Sequence, residues 1–415
     1  MQLPTAIDST GRTDVTKRLQ TFVSTVPSGR VIRFRPGGRY RLDGTLVVSR
    51  RRQLTFDGAG ALIFASTRGD QNRSQFRVRG GSGITFRNIK IKGASANAGT
   101  GDNAYIPALA KQMGIRFEGV DGAEVDHVTI TNVFGDFVYV GLDSKEVPSR
   151  NVWIHDSTFR SNGRQGVAVT SATGVIIERN TFSDTRRSTV DLEPTGHRWT
   201  VDHVFILNNV VGKGRLLFVA SGGQGPVSNV VVSGNRLTGH VLSIDVKQSG
   251  KQRRSNWVVV NNVSNVDVDN NRVMRFMAVD GLLVRGNRET ITGKDPAVEL
   301  SDVCGAVVSG NDFGTGQVQK TGNDCAAPLV IPQPPVIPGR SASANPSVVP
   351  KSHSATTSWT WVWVVVAIGG LLLVLAILVA VRRRRRQPPT GPTPSQPTEP
   401  RPIEADAGAG FRHGV

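Results

Sequence analysis

The sequence predicts an all-β fold, a right-handed parallel β-helix of about nine coils. Three observations carry this. Segments such as NVWIHDSTF (151–159), GVIIERNTF (174–182), HVFILNNVV (203–211), NVVVSGNRL (229–237), GLLVRGNRE (281–289) and GAVVSGNDF (305–313) share the pattern apolar-x-apolar-x-x-Asn-x-apolar. Equivalent positions (Ile89, Val128, Ser157, Asn180, Asn209, Asn235, Val263, Asn287, Asn311) recur at 23–29 residues after a first step of 39. The composition, with 46 glycines and 6% aromatics, suits repetitive β structure with many tight turns. A repeat of this length is too long for a hexapeptide coil and too poor in helix for leucine-rich repeats. It fits three short strands per coil, stacked on copies of themselves.

The elements follow in order. Near the N-terminus, Asp14 is placed to cap a helix whose apolar face is Val15, Leu19, Phe22, Val23 and Val26. Such a helix plugs one end of the rod and hides an open strand edge. The coils follow, with an insertion around Gly93–Gly114. Inward Val, Ile, Leu and Phe form ladders. Asparagine tolerates the left-handed backbone of a sharp turn, and stacked amides hydrogen-bond along the axis. At ~4.8 Å per coil, nine coils make a rod about 40–45 Å long. Cys304 and Cys325, the two cysteines, lie 21 residues apart, about one coil, and are expected to form a disulfide pinning the last coil. A pair of cysteines excludes a zinc ribbon.

The β-helix domain is thus expected over 1–325. Residues 326–358, rich in Pro, Ser and Ala, read as an extended stalk. Residues 359–381 are 23 uncharged residues opening on three tryptophans. As a helix they span about 35 Å, enough for a ~30 Å hydrocarbon core. Arg382–Arg386 then marks the cytoplasmic side, and the Pro-rich remainder to 415 reads as a disordered tail. The expectation is a single-pass protein with its β-helix outside the cell. The opening stretch MQLPTAIDSTGRTDVTK carries no apolar export segment, although the expected topology calls for export.

The net charge of +18 favours polyanionic partners. The stretch STVDLEP (188–194) alternates Val190 and Leu192 with Asp191 and Glu193. The two acids share an outward face, ~6.5–7 Å apart along the chain. Stacking DFVYVGL, QGVAVTS, STVDLEP, RLLFVAS and HVLSIDV predicts two outward columns. One is Tyr139, Ala168, Asp191, Phe218, Ser243, and the next is Gly141, Thr170, Glu193, Ala220, Asp245. Asp136, Gln165, Ser188, Arg215 and His240 fall at the strand edge, with Arg164, Arg186 and Arg187 nearby.

These coils, with the opening IDSTGRTDVTKRLQTFVSTVPSGRVIRFRPGGRYRLDGTLVV (7–48), resemble the pectate-lyase-like superfamily of right-handed β-helix proteins. The resemblance covers roughly residues 5–325. It implies a polysaccharide or cell-wall polymer bound along one sheet face, and no nucleic acid. Its catalytic signatures are mostly missing. Gly239-His240 is followed by Val241, and Trp153-Ile154-His155-Asp156 swaps the last two residues of a pectate-lyase motif and sits at a turn.

Two functions compete. A polysaccharide lyase, hydrolase or epimerase would use Asp191 and Glu193 as acid and base, or His240 or Tyr139 as a base with Arg164, Arg187 or Arg215 neutralising a carboxylate. Gln165 and Asp245 would help hold substrate. The alternative is a non-catalytic surface rod that binds wall polymer. No cofactor or metal is expected. DVDNN (267–271) has Asp267, Asp269 and Asn271 but lacks the later glycine and glutamate of a calcium loop, so calcium stays only as an open addition.

Overall fold

The computed structural model describes residues 1–248, 252–267, 273–322 and 325–340. The predicted membrane segment, the arginine run and most of the 267–271 loop lie outside them. Among the described residues no helix is long and apolar enough to cross a membrane.

Branched apolar residues on alternate positions wind the chain into a parallel solenoid with three faces. One face is a 12-stranded sheet. The other two merge into an 18-stranded sheet, because strands such as Leu46–Asp57 and Met274–Arg285 turn the corner unbroken. The first face is the row Val138–Gly141, Val167–Val169, Val190–Leu192, Val219–Ser221 and Ile244–Val246. The second is the row Ser149–His155, Ala172–Glu178, Val201–Leu207, Val227–Ser233 and Arg254–Val260. The solenoid has about eleven turns rather than nine. The count from sequence began at Ile89, and the turns at Arg39–Arg41 and Leu62–Phe64 precede it.

Inward side chains of all three faces form one continuous core, with Val190, Leu192, Val204 and Ile206 fully buried. Phe159 stacks near Phe182 at 5.0 Å and Phe56 on Phe86 at 4.9 Å. Each such side chain contributes about 1.5–3 kcal/mol by leaving water.

The asparagine ladder forms as expected. Asn180, Asn209 and Asn235 accept, through Oδ1, the backbone N–H of the preceding coil's ladder residue at 3.0, 3.0 and 2.9 Å. Two details differ. In the coil at 254–264 the ladder residue is Asn262, not Val263, and it bonds to Asn235 and Asn287. The left-handed backbone belongs to the preceding residue (Arg179, Asn208, Asn261), not to the ladder asparagine. The amide is needed in the core, and its neighbour absorbs the bend.

The helix spans Thr16–Thr25, with Leu19 and Val23 buried against the first coil. Val15 occupies the cap position. Asp14 ends the strand before it and accepts the Thr16 N–H at 2.9 Å, one residue earlier than expected. Cys304 and Cys325 are disulfide-bonded.

The first part of the expected stalk is a strap. The outer side of the second face is apolar, with Trp153, Ile176, Phe205, Val231, Val258 and Leu283 forming a second cluster. Leu329, Ile331 and Ile337 pack onto it. The strap runs back along the axis. Pro328 and Leu329 lie over Gly281, and Pro335 lies over Gly174, both glycines at φ +75° where a Cβ would strike the strap. Those glycines are four rungs apart in register, ~19 Å. Seven residues of polyproline II span about 22 Å. The proline spacing therefore matches the distance to be covered.

Candidate functional site

The strand Val190–Leu192 buries Val190 and Leu192 and turns Asp191 outward, as its alternation requires. Outward does not mean solvated here. Asp191 is only 5% exposed, against an expectation of an open face. The cover comes from the preceding coil. Gln165 donates its side-chain amide to Asp191 Oδ2 at 2.5 Å and accepts the Ser188 N–H at 2.7 Å. Asp136, one coil further back, is fully buried and accepts the Gln165 N–H at 2.9 Å. Arg164 bridges the group, 2.8 Å from Asp136 and 3.5 Å from Glu193.

One guanidinium thus faces three carboxyls. Burial, then the Glu193 charge, pushes the Asp191 carboxyl up to about 7. Burial pushes Asp136 up to about 6 against the pull of Arg164. Arg164 is held above its ordinary value, chiefly by the Asp136 charge. Asp136 read from sequence only as a strand-edge residue. Its special role needed the burial and the ion pair to become visible.

The other expected residues divide. Tyr139 Oη lies 2.8 Å from Thr170 Oγ1, and Arg116 sits 5.0 Å over its ring. Arg187 lies 5.2 Å over Tyr105 of the insertion, and its charge acts on Asp191. Arg215 turns to the insertion as well, pairing with Asp102 at 2.5 Å and the Thr100 carbonyl at 3.1 Å. Asp245 pairs with Arg275 at 2.9 and 2.7 Å.

The predicted columns are out of register after Asp191. Asp191 pairs with Ala220 and Ala220 with Asp245, so Asp245 belongs to the Asp191 column, two rungs on. Phe218 is in the core. Within a strand a two-residue slip preserves the side each residue faces, so alternation alone cannot detect it; Phe218 precedes its strand, Val219–Ser221, and escapes the alternation. His240 is not brought to the acids. It is buried with Nδ1 on the Val241 carbonyl at 2.7 Å, and its ring packs on Gly214. Burial holds its pKa below the ordinary value.

A feature not anticipated lies on the same face towards the N-terminus. A cleft of 640 Å³ opens between Arg50, Arg77, Arg79, Arg116, Tyr139 and Trp199. Register joins it to the acid group, as Arg77, Arg116, Tyr139, Ala168 and Asp191 are successive neighbours. The swapped motif residue His155 stacks on Trp153 at 3.6 Å, on the outer side of the second face. With Asp126 and Asp156 it could hold a metal ion. Asp156 is already engaged by Arg179 at 2.9 and 2.8 Å, so the group is satisfied as an ion-pair network.

The family described as right-handed β-helix region matches residues 74–273. Solved structures share the fold at low identity. The endo-xylogalacturonan hydrolase of Aspergillus tubingensis is 15% identical with a TM-score of 0.53, over 82% of this chain and 97% of that one. PfbA, a surface adhesin of Streptococcus pneumoniae, is 12% identical with a TM-score of 0.52, over 75% and 90%. The tailspike of Escherichia coli bacteriophage HK620, solved with a pentasaccharide, is 13% identical with a TM-score of 0.54, over 78% and 62%. Comparison with curated proteins finds no match. Coils, ladder and neighbours agree on the fold, and residues 74–273 belong to a right-handed parallel β-helix.

Proposed function

We propose that the chain acts on a polysaccharide laid along its first face, with Asp191 as proton donor. The observation that carries this is the buried carboxyl pair, Asp136 and Asp191, pushed to about 6 and about 7 beside a single arginine. A carboxyl raised to near neutrality can hold a proton and deliver it to a leaving-group oxygen. Glu193, on the same face and 37% exposed, is placed to activate water. Their backbone positions are ~6.5–7 Å apart along the strand, and the pair supplies the two carboxyls that inverting hydrolysis uses. Elimination is less well served. Of its two bases, His240 lies away from the acids, and the Tyr139 hydroxyl is raised by burial.

The fold neighbours named as a hydrolase and as a pentasaccharide-bound tailspike support a carbohydrate partner. The expected membrane helix at 359–381 would hold the β-helix at the outer cell surface. A second reading, a non-catalytic polymer-binding rod, draws on the adhesin neighbour and on the close packing of Asp191. The test is a glycan panel with the full-length chain and its Asp191→Asn variant. Release of new chain ends by the parent, lost in the variant while binding persists, supports hydrolysis. Binding without release by the parent supports the rod.

A further inference from the structure

We propose that the arginine-lined cleft is a recognition site for an oxyanion, carboxylate or sulfate, carried on the sugar chain. The proposal rests on the reading that the polymer lies along the first face. The cleft is a built site rather than a loose surface. Glu118, 5% exposed, forms its floor and accepts from Arg77 Nε and Nη2 at 2.8 and 2.9 Å. It also pairs with Arg116 at 2.8 Å and Arg79 at 3.5 Å. Three guanidinium groups thus converge on one carboxylate, which fixes their positions and leaves positive charge over.

Arg50 adds a fourth from the neighbouring coil. Its side chain is exposed, and among the described residues it makes no ion pair. On the rim, Asp143 spends its carboxylate on the Lys145 and Val147 N–H groups of its own turn, at 2.8 and 3.0 Å. Arg116 sits 5.0 Å over the Tyr139 ring, and Trp199 stands at the same cleft, so a sugar ring meets aromatic surface beside the charges. Planar guanidinium forks match the paired oxygens of carboxylate or sulfate.

The register sets where that anion stands. Arg116 is three rungs from Asp191, ~14 Å along the axis. The cleft therefore reads a substituent on a sugar other than the one at Asp191. It selects charged polymer and sets its position without touching the reacting bond.

The test compares binding of the full-length chain to polygalacturonate, dextran sulfate and neutral dextran. Arg50→Gln/Arg79→Gln is the cleft variant, since both side chains are exposed enough to leave Glu118 held by Arg77 and Arg116. Arg160→Gln/Arg285→Gln, on the other faces, removes the same charge and is the control. The expected result is tighter binding of an anionic polymer than of neutral dextran. The cleft variant should lose at least about fivefold of that affinity, and the control should keep it. Whichever polymer shows the loss names the anion. Equal binding of all three, no binding of either anionic polymer, or equal losses in both variants overturns the proposal. Chain-end release by the parent and by Asp191→Asn is read separately. A parent that cleaves nothing, yet shows the cleft-specific loss, sinks the hydrolase reading and leaves the anion site standing.

Discussion

Arg340 closes an ion pair on Glu178 across 162 residues, reaching its two carboxylate oxygens at 3.0 and 3.1 Å. Glu178 is fully buried and also takes the Trp153 indole N–H at 2.8 Å. The described strap therefore runs from the last coil back to a coil near the middle of the solenoid. Arg340→Ala leaves Glu178 with Trp153 and Arg179, so the loss should be partial, about 1–3 kcal/mol. Glu178→Ala should also free the strap end. Thermal melting with limited proteolysis around 326–340 checks both. Unchanged protection of the strap in both variants would show that its apolar contacts suffice.

Asp191 should make the fold less stable as pH rises. Its folded pKa of about 7 lies above the ordinary aspartate value of 3.8. A raised carboxyl contributes its full stability below ~4 and loses it as pH climbs through ~7. Asp136, at about 6, acts in the same direction. Asp191→Asn should flatten the fall in melting temperature between pH 4 and 7. A variant with the same pH slope as the parent would mean that Asp191 is ionised throughout.

The Cys304–Cys325 bridge closes a loop of about one coil. Its removal in Cys304→Ser/Cys325→Ser should cost about 3 kcal/mol on the chain-entropy model. The loss should be local. Hydrogen exchange should rise first in Val298–Ser309 and in the strap start, which the Gly305 N–H holds through the Cys325 carbonyl at 2.9 Å. Uniform destabilisation of every coil is the opposing outcome.

Asn209→Ala should be severe despite the small change in size. The Asn209 amide donates to the Ile177 carbonyl and to Asn235 Oδ1, both at 2.9 Å, and its oxygen receives the Asn180 N–H at 3.0 Å. Truncation leaves buried donors and acceptors unpaired, costing about 2–4 kcal/mol in total. Denaturant unfolding measures it. A loss below 1 kcal/mol would mean that water enters the ladder.

The sequence by itself determined the repeat, the inward and outward sides of Val190, Asp191, Leu192 and Glu193, the asparagine ladder and the disulfide. All four depend on local periodicity or on a spacing of about one coil, and a strand's period of two states which side a residue faces. Tertiary structure decided what local pattern does not encode. The register beyond Asp191 shifted by two residues, which keeps the strands' own residues on their side and changes their neighbours, while Phe218, ahead of its strand, turned into the core. Burial by the stacked coils, against the pull of Arg164 28 residues from Asp136, made two acids into near-neutral carboxyls. The proline-rich stretch after Cys325 read as a free stalk because its partner, the apolar outside of the second face, is assembled from six different coils. The arginine cleft was hidden for the same reason. Arg50, Arg77 and Arg116 look scattered along the chain, and only the stacking of coils, at one rung each, brings their charges to one place.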